Sequence, residues 1–234
     1  MLKLVDLRAG YGRTPVLHGV DVEVDPGERV AILGRNGVGK TTLLRAIIGQ
    51  IALAGGQVIL GGDDVSRLPT HERARRGLAY VPQGREIFPG LSVLDNLRVA
   101  AYGTRQRDLA ERLDEVLEEF PVLAGKRTHR GGSLSGGQQQ ILALGRALMT
   151  APSVLLLDEP SEGVQPSIVD EIVEIVHDLN ERRGIAVVLV EQNLDFAVRV
   201  ASQGYLMDKG RIVRALPANE ILQDRDLQHE YMGV

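Results

Sequence analysis

Two stretches of this chain carry residue types that handle phosphate, and a third ends in paired carboxylates. Gly34-Arg35-Asn36-Gly37-Val38-Gly39-Lys40-Thr41 has the G-x-x-x-x-G-K-[ST] spacing, with Thr42 directly behind it. An apolar strand at 29–33 precedes it and a helical run at 41–49 follows, the context that gives the pattern its physical meaning. Glycines let consecutive N–H groups turn towards phosphate oxygens, and a helix start adds the positive end of a dipole. Lys40 then reaches β- and γ-phosphates, and the Thr41 hydroxyl can ligate Mg²⁺. Further on, Leu134-Ser135-Gly136-Gly137-Gln138 is a second glycine–serine turn at a helix start. Val154-Leu155-Leu156-Leu157-Asp158-Glu159 reads as a buried strand ending in two carboxylates. The set predicts a nucleotide hydrolase.

These residues need a frame. Runs at 29–33, 78–81, 154–157 and 186–190 are apolar throughout, as parallel strands covered on both faces are. Helical patterns between them predict βαβ crossovers and an α/β core. Residues 2–7 and 16–24 alternate or cluster β-branched residues, predicting an antiparallel edge sheet that ends at Pro26-Gly27. Residues 57–60 add a strand closed by the turn Gly61-Gly62-Asp63-Asp64. From Pro82 to about Gly145 the pattern is helical, at 92–101 and 104–119, bounded by Pro82-Gln83-Gly84 and a Gly131-Gly132 turn. A hairpin at 207–213 turns at Asp208-Lys209-Gly210-Arg211, and 218–234 is expected to be a terminal helix.

In motif content and order the chain resembles the ATP-binding cassette (ABC) ATPases, over nearly all of its 234 residues. That resemblance implies an α/β P-loop NTPase of the ABC type, with an antiparallel β edge sheet and an inserted helical subdomain at about 83–145, all in one domain, 1–234. It implies ATP and Mg²⁺ as cofactors. Gly34 to Thr42 would form the phosphate loop, and Ser135, Gly136, Gly137 and Gln138 the signature loop, which contacts ATP held by another cassette. Asp158, with Thr41 and Gln83, would hold Mg²⁺, and Glu159 would polarise the attacking water. Gln83 matches the family's Q-loop. Tyr11, in Gly10-Tyr11-Gly12, stands where the family commonly stacks an aromatic on adenine. The other reading of Tyr11 is a turn tyrosine packed on the edge sheet. One cassette per chain implies a head-to-tail pair, of two copies or with a related second subunit.

Two positions depart from the common pattern. Gln192, in Val190-Glu191-Gln192-Asn193, occupies the place of the family's histidine, and Ser161-Glu162-Gly163-Val164-Gln165-Pro166 lacks the usual aspartate after Glu159-Pro160. An amide can donate to a γ-phosphate but carries no imidazolium charge, so Gln192 is expected to limit the hydrolytic rate. With Tyr80-Val81-Pro82-Gln83-Gly84-Arg85-Glu86-Ile87-Phe88, these segments resemble ATPase subunits of branched-chain amino-acid importers. Urea and short-amide importer subunits share the same features, and residues 162–166 lean towards them. The resemblance implies integral-membrane permease subunits as partners and, indirectly, an extracytoplasmic solute-binding protein. Phe88 and Leu91 are candidates to receive a permease helix, or else pack within the helical subdomain.

Composition bounds the alternatives. A formal charge of −4 gives no support to nucleic-acid binding. That argues against a soluble ABC switch acting on DNA or ribosomes, as does the absence of a long coiled coil or a second cassette. Intact Lys40, Asp158 and Glu159 argue against a catalytically silent subunit. No apolar run approaches the roughly 18 residues that cross a bilayer, and residues 1–4 lack a signal peptide's apolar centre. The expected location is the cytoplasm, peripheral to the inner face of the cell membrane through the permease. The five histidines show no metal-ligand spacing. The charged run His71-Glu72-Arg73-Ala74-Arg75-Arg76 reads as a solvated helix face.

Overall fold

A computed structural model describes residues 1–102 and 109–233. Strands β1 (Leu2–Tyr11) and β2 (Thr14–Val24) form a hairpin, and β3 (Arg29–Leu33) runs into helix α1 (Lys40–Ile48). Strands β4 (Leu53–Leu60) and β5 (Asp63–Asp64), helix α2 (Thr70–Arg75) and strand β6 (Leu78–Val81) follow. A helical stretch comes next: α3 (Val93–Ala101), α4 (Leu109–Glu119), α5 (Pro121–Ala124) and α6 (Gly136–Leu148). The chain then alternates through β7 (Val154–Asp158), α7 (Pro166–Arg183), β8 (Ala186–Glu191), α8 (Leu194–Val200), β9 (Gln203–Asp208) and β10 (Arg211–Pro217). Two short helices, α9 (Ala218–Gln223) and α10 (Arg225–Leu227), and a π turn at Gln228–Met232 complete it.

Among the described residues the strands make two sheets, ordered β2-β1-β4-β5 and β10-β9-β3-β8-β7-β6. The first is antiparallel throughout. In the second, β9, β3, β8, β7 and β6 run parallel and β10 closes the edge as an antiparallel hairpin partner. Alternate residues of each parallel strand enter different cores, because successive side chains leave a strand on opposite faces. Leu155, Leu157, Val187 and Leu189 join a cluster with Leu142, Leu144, Val176 and Phe196. Leu156, Val188 and Ile32 face the other way, onto Leu43, Ile47 and the antiparallel sheet. That two-sided cover explains why these strands read as unbroken apolar runs.

Two expectations change, and a third is met as far as the described residues reach. Residues 218–234 do not form one helix: Asp224 breaks it, its side chain accepting from the N–H groups of Asp226 and Leu227 at 3.0 Å each to start a new turn. Of the helix expected at 104–119, the segment 109–119 is helical and 104–108 lies outside the described residues. The run 71–76 is not all solvated. Arg73 is 2% exposed and its guanidinium caps the C-terminal end of α1, donating to the carbonyls of Ala46 and Ile47 at 2.9 and 2.7 Å. It also reaches Leu68 and Ser66 carbonyls at 2.9 and 2.7 Å. Cations are favoured there because the last carbonyls of a helix lack partners.

Candidate nucleotide site

The loop between β3 and α1 turns at Gly39, whose φ of 114° only glycine adopts at low cost. No acidic residue occupies the first turn of α1, so its N–H groups and dipole stay available to an anion. A cavity of about 420 Å³ opens at this point, lined by Asn36, Gly37, Gly39, Lys40, Thr41, Thr42, Gln83 and Glu159, with Val16 and Glu162. Lys40 is buried beneath it and donates to the carbonyls of Gly34 and Arg35 at 2.8 and 3.2 Å. Its Nζ also lies 3.2 Å from Glu159 Oε1, a close ion pair across the cavity.

Asp158 ends β7 immediately below. Thr41 Oγ1 donates to its Oδ1 at 3.0 Å and the Tyr80 hydroxyl to its Oδ2 at 2.8 Å. Burial raises the Asp158 pKa, and the Tyr80 and Thr41 hydrogen bonds pull against that rise. Burial likewise raises that of Tyr80, reinforced by the Asp158 charge. Gln83 Nε2 donates to Glu159 Oε2 at 3.2 Å and Glu162 Oε2 at 2.8 Å. The Thr41 hydroxyl, the Asp158 carboxylate and the Gln83 amide are hard oxygen donors, which suits Mg²⁺ held mainly by phosphates and water.

Glu159 sits in the left-handed region at φ 46°. Such a conformation costs a non-glycine residue about 1–2 kcal/mol, so the surroundings must hold it. Its N–H donates to the Val190 carbonyl at 3.0 Å.

Other sequence-predicted residues lie elsewhere. Gly34 and Val38 form the foot of the loop, and Arg35 turns away, its Nη2 donating to the His229 carbonyl at 2.7 Å. Tyr11, 44% exposed, borders a separate cavity of about 740 Å³, and its hydroxyl accepts from Arg45 at 3.4 Å. Gln192 is exposed and does not line the phosphate cavity; its backbone N–H donates to Glu191. Ser135, Gly136, Gly137 and Gln138 are also absent from that cavity. Ser135 caps α6 in a reciprocal box with Gln138: its Oγ accepts from Gln138 N at 3.3 Å and its N–H donates to Gln138 Oε1 at 3.2 Å. A Cβ at Gly137 would lie 2.5 Å from Ile168 Cγ2, so that glycine is required by close approach.

Sequence reasoning missed Tyr80, Glu162 and Arg45. Tyr80 is placed by strand register: it pairs with Leu156, and Asp158 is two residues further along the same face. Glu162 lies three residues beyond Glu159 in a turn, for which periodicity offers no guide.

Residues 17–162 match the family described as ABC transporter. Over its full length the chain is 40% identical to the whole of the high-affinity branched-chain amino acid transport ATP-binding protein BraG of Pseudomonas aeruginosa. A 36% identity covers all of this chain and 99% of the probable branched-chain amino acid transport ATP-binding protein LivF of Archaeoglobus fulgidus. The lipopolysaccharide export system ATP-binding protein LptB of Escherichia coli K12 is 36% identical over 97% of this chain and 95% of its own. Among solved structures, an ATP-binding cassette of an ABC transporter in its ADP conformation superposes with a TM-score of 0.89 at 26% identity, covering 100% of this chain and 99% of that one. A loop built for phosphate, paired carboxylates beside it and full-length similarity at this level agree: the chain belongs to the ABC transporter family, as an ATP-hydrolysing subunit of a transporter.

Proposed function

We propose that this subunit energises uptake of branched-chain, hydrophobic amino acids through separate permease subunits. The observation that carries the reading is the 40% identity to BraG across the whole of both chains. A urea or short-amide importer is the second reading, favoured by the segment Glu162-Gly163-Val164-Gln165-Pro166. In either system the chain forms one domain over 1–234, with a helical subdomain at about 83–145. It works in the cytoplasm against the inner face of the membrane. Its partners are a second cassette, identical or related, and the permeases, with an extracytoplasmic solute-binding protein delivering substrate.

The chemistry follows from the cavity. The phosphates of ATP enter between Lys40 and Glu159, and Lys40 transfers its charge from Glu159 to them. The loop N–H groups and Thr42 hold the phosphate oxygens, and Tyr11 offers its ring to adenine. Thr41, Asp158 and Gln83 would hold Mg²⁺, which would supply neutralisation of phosphate charge. Released from Lys40, the Glu159 carboxylate orients and polarises a water for in-line attack on the γ-phosphorus, giving ADP and phosphate. Ser135 to Gln138 serve the ATP held by the partner cassette, through the Ser135 hydroxyl and the N–H groups of Gly136 and Gly137 at the start of α6.

Tagged Glu159→Gln protein, recovered from solubilised native membranes with ATP and Mg²⁺, tests the assignment. Losing the water-orienting carboxylate should trap the closed pair, so mass spectrometry is expected to find a second cassette and two permeases. A companion binding protein is then screened with leucine, isoleucine, valine and urea. Recovery of ribosomal or DNA-repair proteins, or of this chain alone, would overturn the importer reading.

A further inference from the structure

Asp158 at the end of β7 pairs in register with Val190 of the neighbouring β8. The residues that follow, Glu159 and Glu191, therefore leave the sheet side by side. Glu159 leaves it in the left-handed conformation described above, its N–H bonded to the Val190 carbonyl and its own carbonyl accepting from the Glu162 N–H at 3.1 Å. Two residues later the chain is gripped again, by Glu191. Ser161 donates to Glu191 Oε1 through both its N–H, at 3.1 Å, and its hydroxyl, at 2.6 Å. Glu191 Oε2 accepts from the N–H groups of Gln192 and Asn193 at 2.9 and 3.0 Å. The side chain is 2% exposed. A carboxylate is costly to bury, and every one of its four donors comes from the two loops that leave β7 and β8. Packing alone would be served better by an apolar residue.

We propose that Glu191 is a positioning residue for Glu159: it closes the strained turn that aims the Glu159 carboxylate at the phosphate cavity. The inference rests on the reading of Glu159 as the water-orienting group. Without Glu191, Ser161 loses both of these contacts, and the backbone bonds of Glu159 to Val190 and Glu162 are left to hold the turn. Glutamine at this position has the same shape but a single acceptor oxygen. Whichever way its amide faces, one loop meets an NH₂ group in place of an acceptor.

The test compares wild type, Glu159→Gln, Glu191→Gln and Ser161→Ala in the native complex, measuring ATP turnover and affinity for the fluorescent analogue mant-ATP. Glu191→Gln is expected to lower kcat by up to about a hundredfold, the scale of a reacting group misplaced by about 1 Å. Ser161→Ala should lower it less. Both should keep KM and mant-ATP affinity within about twofold of wild type, since binding does not use this turn. A Glu191→Gln, Ser161→Ala double variant should stay near Glu191→Gln, because the two changes break one shared contact. Wild-type kcat in Glu191→Gln and Ser161→Ala overturns the inference, and so does a loss carried by KM and analogue affinity alone. If Glu191→Gln does not fold, Ser161→Ala decides by the same criteria. Abolished turnover in Glu159→Gln with intact turnover in Glu191→Gln sinks this inference alone. Intact turnover in Glu159→Gln sinks the reading of Glu159, and this inference with it.

Discussion

Asp158 meets a hydroxyl on each of its oxygens, Thr41 on one and Tyr80 on the other. A hydrogen bond to a buried charge contributes about 1.5–3 kcal/mol, so Tyr80→Phe, which keeps the ring and removes the donor, should be felt. We expect urea unfolding to show a loss in that range and turnover to require more Mg²⁺ for half-maximal rate. Unchanged values in both assays would mean that Thr41 alone orients the carboxylate. Lys40, Thr41, Gln83 and Glu159 were legible in the sequence because each sits at a fixed place in a short motif, and the structure brings them to one cavity. Tyr80 was not, since its partner is set by the neighbouring strand's register and not by nearby sequence. Gln192, read as a γ-phosphate donor, stands outside the cavity with its side chain exposed.

Helix α1 is fixed at both ends by residues of opposite kind. Gly39 opens it in a conformation that leaves its N–H groups facing the cavity, and Arg73 closes it from α2 with a fork of donors. Removing the fork exposes carbonyls of α1 and of the loop before α2, and Arg73→Ala should cost roughly 2 kcal/mol in chemical unfolding. Arg73→Lys should restore less than half, because one ammonium cannot span both sets of carbonyls. Full recovery by lysine would show that charge, not the fork, is what matters. Strand positions were readable from apolar runs, since parallel strands covered on both faces leave no room for polar residues. The α2 run was misread for a related reason. Charge density marks a solvated face in general, yet it is blind to one arginine whose partners are backbone carbonyls 26 and 27 residues upstream. At 218–234 helical composition carried through a local break, because Asp224 caps a new turn using atoms that composition does not count.

On the scale of the whole molecule, two apolar clusters share the parallel sheet, one with α6, α7 and α8 beneath it and the other with α1 and the antiparallel sheet above. Order of motifs made that architecture legible, whereas the separation of the phosphate cavity from the Ser135 turn becomes a fact only in three dimensions. The separation has a genetic consequence. A copy with Lys40→Ala has a damaged loop and a sound signature; a copy with Ser135→Arg has the reverse. Where two such copies pair head to tail, both lesions fall in one site and the other site is wholly intact. Random pairing of equal amounts should then restore about a quarter of the sites, although either copy alone supports none. If the natural partner is a different cassette, the two alleles never meet and co-expression restores nothing. Intragenic complementation thus counts the kinds of chain in the transporter without purifying it.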